Sequence, residues 1–132
     1  MGLTRDAILA ADDLKKETVE VPEWGGSVTI REFTAAERDL FESEWLKGKA
    51  AGTETDNIRA RLVSRTLITD TGERMFSDAE IAILGNKSAT ALDRLFTVAQ
   101  RINGMSGAAV DELEKNSGGD RNDDSVSGSP SL

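Results

Sequence analysis

The chain has no cysteine, no histidine and no tyrosine in 132 residues. Without cysteine it has no disulfide scaffold and no thiolate for metal binding or nucleophilic attack. Without histidine it has no imidazole ligand and no Ser-His-Asp arrangement. Catalysis would have to rest on carboxylates, lysine or serine alone, and the lack of cysteine fits a reducing compartment. Aromatic residues are scarce at 5%, and hydrophobic residues make up 38% of the chain, so the core must be modest and self-association is a natural way to cover leftover apolar surface. No apolar run approaches the roughly 20 residues that span a bilayer. The opening MGLTRDAILAADD has neither the apolar centre of a signal peptide nor a Ser or Thr at position six, as myristoylation requires. The expectation is a soluble protein of the cytoplasm.

Acid is what the chain has in excess. Asp and Glu number 24 against 16 Lys and Arg, a net charge of −8, which repels the phosphate backbone and anionic lipid; neither nucleic acid nor membrane is expected as a partner. The length suits one small domain.

Thr4 is placed to cap a short helix over residues 6–13 with Ile8 and Leu9 on its apolar edge. Two or three turns do not stand alone in water, so the segment must dock or fray. Residues 18–21 and 27–33 are strand-like and flank Pro22-Glu23-Trp24-Gly25-Gly26, a hairpin signal. A two-residue Gly25-Gly26 turn sets Glu20 opposite Arg31 but puts Pro22, which has no N–H, at a hydrogen-bonded position. A wider loop sets Val21 opposite Val28. Both place Val19, Val21, Val28 and Ile30 on one face, because the two registers have the same parity.

Thr34-Ala35-Ala36-Glu37 is a capping box opening a helix to residue 47, with Leu40, Phe41 and Trp45 as its stripe and Gly48 as its stop. Residues 47–55, KGKAAGTET, read as a flexible connection. Asp56 caps a helix in which Ile58, Leu62, Val63 and Leu67 recur near the helical period, and Thr69-Asp70-Thr71-Gly72 ends it as a turn. Ser77-Asp78-Ala79-Glu80 is a second capping box, with Ile81 and Leu84 inward and Gly85 as the stop. The clearest helix covers 89–103, capped by Ser88 and closed by Gly104, with Leu92, Leu95, Phe96, Ala99 and Ile102 on one face. A last short helix at 107–115 carries Val110 and Leu113 inward. Beyond it, SGGDRNDDSVSGSPSL buries too little to offset its ordering entropy. The expected fold class is mainly α: a single small domain of five or six helices with an N-terminal β-hairpin over residues 1–116, and a disordered polar and acidic tail at 117–132.

Tests for chemistry return nothing. The carboxylate clusters Asp12-Asp13, Asp111-Glu112-Glu114 and Asp123-Asp124 lack the alternating ligands, central glycine and terminal Glu of a calcium loop. Gly85-Asn86-Lys87-Ser88 ends in the Lys-Ser of a phosphate loop but has Ile81 where the first glycine belongs. The lysines stand in polar sequence, with no apolar pocket to make one nucleophilic. No enzyme, cofactor or metal is expected, and replacing Asp111 and Glu112 should leave function intact. Trp24 and Trp45 are the candidate partner-binding residues, each weighed against a simple packing role, since Trp serves both.

An opening DAILAADDL, then VEVPEWGGSVTIREFTAAERDLFE, then residues 57–106 through NKSATALDRLFTVAQRINGMS resemble the tail assembly chaperones of long-tailed, non-contractile bacteriophages. The resemblance spans residues 6–117 and is most specific at Val21-Pro22-Glu23-Trp24-Gly25-Gly26, Thr34-Ala35-Ala36-Glu37-Arg38, and from Leu92 to Asn103-Gly104. It implies a non-enzymatic factor, absent from the mature virion, that binds the tape-measure protein and brings tail-tube protein onto it. It also implies a longer product made by ribosomal frameshifting and possible homo-oligomers, and it carries over no catalytic residue. The competing expectation, from net charge, is an acidic phage-encoded adaptor or inhibitor that binds a basic host protein.

Overall fold

Alternating valines build the first element that the helices can pack upon. In the computed structural model, which describes residues 1–105, β1 (Lys16–Val21) pairs antiparallel with β2 (Gly26–Arg31), and β2 pairs with the short β3 (Leu67–Ile68). The sheet order is β1-β2-β3. Around it, among the described residues, stand five α-helices: α1 (Arg5–Ala10), α2 (Ala35–Ala51), α3 (Ile58–Thr66), α4 (Ile81–Leu84) and α5 (Ala89–Ile102). The mainly α domain with its N-terminal hairpin is therefore what the chain forms. The helix expected at 107–115 and the tail at 117–132, with Asp111, Glu112, Asp123 and Asp124, lie outside the described residues.

The hairpin face is the expected one: Val19, Val21 and Ile30 are buried and Val28 packs against them. The register is neither of the two anticipated. Val21 lies opposite Gly26 and Val19 opposite Val28, because Pro22–Trp24 forms a 3-10 turn closed by the Gly25 N–H on the Pro22 carbonyl at 3.1 Å. Pro22 thus leaves the ladder altogether, and its missing N–H costs no strand hydrogen bond. Glu20 faces Ser27, not Arg31; Arg31 turns instead to both carboxylate oxygens of Glu37, at 2.7 and 2.8 Å.

β3 is a correction. Leu67 belongs to the sheet rather than to the helical stripe, its backbone extended at φ −78°, ψ 124°. Thr66 ends α3 by folding its hydroxyl onto the Leu62 carbonyl at 2.9 Å. Leu67 and Ile68 then complete the open edge of β2 opposite Ile30 and Thr29, so tertiary pairing overrides a period that read as helix. The turn after it is real: Thr69 donates to the Glu73 carbonyl at 2.8 Å and Ile68 bridges to Arg74. The cap of α3 also shifts, from Asp56 to Asn57, which sits at φ +49° and makes no side-chain cap.

α2 starts as expected, with the reciprocal Thr34 and Glu37 bonds at 3.1 and 2.8 Å. It does not stop at Gly48. It continues to Ala51 and closes at Gly52, φ +77°. Gly48 serves a close approach instead, since a Cβ there would lie 3.0 Å from Glu54 Cα, and its carbonyl accepts from the Thr53 N–H at 2.7 Å. Of the expected stripe only Phe41 and Trp45 are buried; Leu40 is 52% exposed, a quarter-turn round the helix from Phe41. α5 has its Ser88 cap, accepting from Ala91 N–H at 3.2 Å, and buries Ala91, Leu92, Leu95, Val98 and Ala99 against α3 and the sheet, with Phe96 and Ile102 packed at the margin.

Candidate partner-binding surface

Two arginine clasps hold the hairpin on α5. Arg101 donates to both carboxylate oxygens of Glu17, each at 2.8 Å, and two turns earlier Arg94 does the same to Glu23 at 2.7 and 2.9 Å. The fork of a guanidinium matches a carboxylate in two parallel bonds, which fixes angle as well as distance. The Arg94 bonds, aided by a backbone bond within Glu23, pull the Glu23 carboxyl from its ordinary 4.5 down to about 2. Glu17 moves in the same direction under Arg101.

A lowered folded-state value means the clasp stabilises fully above the unfolded value and fades as pH falls through the folded one. Acid titration should therefore weaken the fold from about pH 4.5 down to about 2. Glu23→Gln should flatten that portion of a plot of urea midpoint against pH while leaving the neutral-side curve parallel to wild type. An unchanged acid slope in the variant would remove Glu23 from the account.

The C-terminal cap of α5 adds a further tie, just beyond the hairpin. Asn103 Oδ1 accepts the Phe33 N–H at 2.8 Å, its amide donates to the Ala99 carbonyl at 2.9 Å, and its own carbonyl accepts from Arg38 at 2.9 Å. One side chain thus joins the β2–α2 junction to the end of α5.

A further ionic knot joins residues that the sequence did not single out. Arg65 lies on the buried side of α3 with its side chain 7% exposed, and its guanidinium donates to both oxygens of Glu44 on α2, with Nη2 to Oε2 at 3.0 Å, and through Nε to Asp78 at 3.3 Å. Burial pulls the Arg65 pKa down, but Glu44 and Asp78 outweigh it and hold the group above its ordinary value. Asp78 is held low, first by Arg74 at 2.9 Å and then by Arg65. The signal was present: Arg65 falls three residues after Leu62 on the inward face, and a buried arginine needs a carboxylate.

The surface itself is apolar in two places. Between α2, α3 and α5 runs a narrow slot of about 20 Å³, room for little more than one water. Its exposed lining is wholly apolar and includes Phe41, Trp45, Ile58, Leu62, Phe96 and Met105. Trp45 is 4% exposed, and its indole N–H finds no acceptor among the described residues. Trp24 is half-buried in the hairpin loop, packed against the core, and lines no part of the slot. The structure does not bring the two tryptophans together.

The second place is α1. Its helix ends at Ala10 rather than at residue 13, and Thr4 caps it, accepting from Ala7 N–H at 3.1 Å, yet none of its residues is buried. Ile8 and Leu9 are 57% and 67% exposed, and Leu3 stands just before the cap, with Ile8 in the position that makes a hydrophobic staple with it. On α2, Leu40 and Leu46 face outward too. Among the described residues no group of three or more acidic side chains could hold a metal ion, and no helix is long and apolar enough to cross a membrane.

Residues 4–116 match the family model described as phage tail assembly chaperone. The chain belongs to that family. The family's role is a chaperone's, and the partners it implies are phage tail proteins. No curated protein and no solved structure matches the chain. Among its described residues this tail assembly chaperone exposes Ile8 and Leu9 on α1 and Leu40 and Leu46 on α2.

Proposed function

We propose that this chaperone binds the tail tape-measure protein in the cytoplasm of the bacterial host, keeps it soluble, promotes assembly of tail-tube protein around it, and is left out of the mature virion. The observation that supports the reading is α1: a six-residue helix with no buried residue among those described, and a helix of that length gains stability only by packing. Leu3, Ile8 and Leu9 offer an apolar edge to an amphipathic helix of the partner, and Leu40 and Leu46 are exposed apolar side chains on α2. Trp24 adds an aromatic anchor at the hairpin loop and Trp45 supports α2 from beneath. The same face serves homo-oligomers when the partner is absent, and a longer product made by frameshifting would carry the tail-tube contact.

Co-expression tests this directly. With the tape-measure protein, the wild-type chain should raise its solubility and co-purify with it. The triple variant Leu3→Ser, Ile8→Ser, Leu9→Ser should keep wild-type far-UV circular dichroism and melting temperature, since none of the three is buried. Its recovery of the partner should fall by about tenfold or more, the scale expected when three apolar side chains leave an interface. No co-purification by the wild type would overturn the partner, and full binding by the triple variant would overturn the surface. The acidic-adaptor reading has the net charge of −8 behind it; a stoichiometric basic host protein in a lysate pull-down would favour it.

A further inference from the structure

Among the described residues the sheet ends on β1. Its order is β1-β2-β3, and the far edge at β3 is closed, since Leu67 accepts from the Met75 N–H at 3.0 Å and Ile68 bridges to Arg74. The near edge is open. The Glu32 N–H bonds the Lys15 carbonyl at 2.8 Å, and the register of β1 on β2 is unbroken. The alternation of an antiparallel ladder then points the backbone groups of Glu17, Val19 and Val21 toward β2 and the N–H and carbonyl groups of Lys16, Thr18 and Glu20 outward. Among the described residues no hydrogen bond reaches those outward groups.

The side chains on this edge find no complement within their own sheet. Lys16, Thr18 and Glu20 are all exposed. Across the hairpin Lys16 faces Arg31, a like charge, and Glu20 faces Ser27; neither joins an ion pair among the described residues. Glu17 and Glu23, by contrast, are already neutralised by Arg101 and Arg94. The edge therefore carries an unmatched base and an unmatched acid, placed symmetrically about Thr18. In the antiparallel register centred on Thr18, a strand of the same sequence sets Lys16 opposite Glu20, Glu20 opposite Lys16 and Thr18 opposite itself, and opposite charges and threonine pairs both favour cross-strand contact. The Thr18 and Thr29 hydroxyls already stand 3.4 Å apart, so such a pairing extends a row of threonines across the sheet.

We propose that β1 pairs antiparallel with β1 of a second copy across a two-fold axis at Thr18, joining two three-stranded sheets into one. The register is self-complementary in backbone and in charge. The outward N–H and carbonyl groups of Lys16, Thr18 and Glu20 meet the same groups of the second copy, and each lysine meets a glutamate. Charge order is what names a second copy as the occupant: base, threonine and acid at 16, 18 and 20 are their own complement when the strand is reversed. An isologous contact of this kind closes on itself, and it covers the edge that a lone sheet leaves open to unwanted pairing. The contact uses the edge strand rather than α1 and does not rest on the tape-measure reading, because its readout needs only this protein.

Charge reversal in the full chain tests the register. The wild type should sediment as a concentration-dependent dimer. Lys16→Glu puts an acid at both positions and Glu20→Lys a base at both, so either variant alone should raise the dimer dissociation constant by about tenfold or more. An equimolar mixture of the two should recover the dimer, because each then supplies the charge that the other lacks. Both sites are exposed, so far-UV circular dichroism should not change. A monomeric wild type overturns the proposal, as does a dimer that both reversals leave intact or a mixture that stays monomeric. Cross-linking gives a second measurement. The chain has no cysteine, and the roughly 5.5 Å between the Cα atoms of a hydrogen-bonded antiparallel pair is within reach of a disulfide. Thr18→Cys should therefore oxidise to a covalent dimer, whereas Ser27→Cys, exposed on β2 one strand in from the edge, should stay a monomer. Equal cross-linking of the two variants, or none with Thr18→Cys, overturns the two-fold pairing.

Discussion

Leu95→Ala is expected to lower the unfolding free energy by about 3–4 kcal/mol, within the range measured for burying a cavity in place of a leucine. Leu95 is fully buried where α5 meets α3 and the sheet, and two separate layers close on it, so neither can collapse into the void without leaving the other. Against a total of about 5–15 kcal/mol for a domain of this kind, the loss is a large fraction. It should lower the melting temperature by on the order of 15 °C. Leu40→Ala is the control: the same chemistry at an exposed position of α2 should change stability by less than about 0.5 kcal/mol. Urea denaturation of the two variants checks the pair. Equal effects at the two sites would mean that the core is not centred on α5.

Glu44→Ala should cost about 2–3 kcal/mol, and more than Arg65→Met does. Breaking a buried pair costs about 3–5 kcal/mol when the remaining charge has no other partner. Here removal of Glu44 leaves the Arg65 guanidinium, 7% exposed, with Asp78 alone, whereas removal of Arg65 leaves a Glu44 side chain that is 34% exposed and can hydrate. The asymmetry follows from which charge water can reach. Joint replacement by Glu44→Leu and Arg65→Met should recover most of the loss, since no charge then stays buried. Urea midpoints of the three variants check these values; a larger loss for Arg65→Met would contradict this ordering.

The caps at Thr4, Thr34, Ser77 and Ser88, unlike the one expected at Asp56, were legible because they are local. Thr4, Thr34 and Ser88 each bond an N–H three residues ahead, and Glu80 reaches back to the Ser77 N–H at 2.8 Å, geometry that four consecutive residues settle alone. The α5 stripe was legible for the same reason, since a helix repeats its faces over fourteen residues without reference to anything else. Strand parity survived a wrong register, because moving a hairpin by two residues exchanges partners but not faces.

The candidate surface was only partly legible. Both tryptophans were marked as contact candidates, and the structure places one in the hairpin loop and the other in the slot, but the exposed face of α1 and Leu40 became apparent only when the core was seen to leave them out. Membership of the family rests on the match over residues 4–116, which is information carried by sequence.

Sequence by itself determined the absence of thiol and imidazole chemistry, the mainly α content, the buried face of the hairpin and the starts of the main helices, since each depends on composition or on residues within a few positions of one another. Tertiary structure decided the rest. Leu67 became a strand because β2 had an open edge; Gly48 stayed helical because Glu54 packs against it and Gly52 turns the chain; Arg65 went inside because Glu44 and Asp78 arrive from other elements. These outcomes depend on partners 6 to 37 positions away (Gly48 to Glu54, Ile30 to Leu67 in antiparallel register), and such a meeting is set by the packing of the whole domain rather than by any local preference.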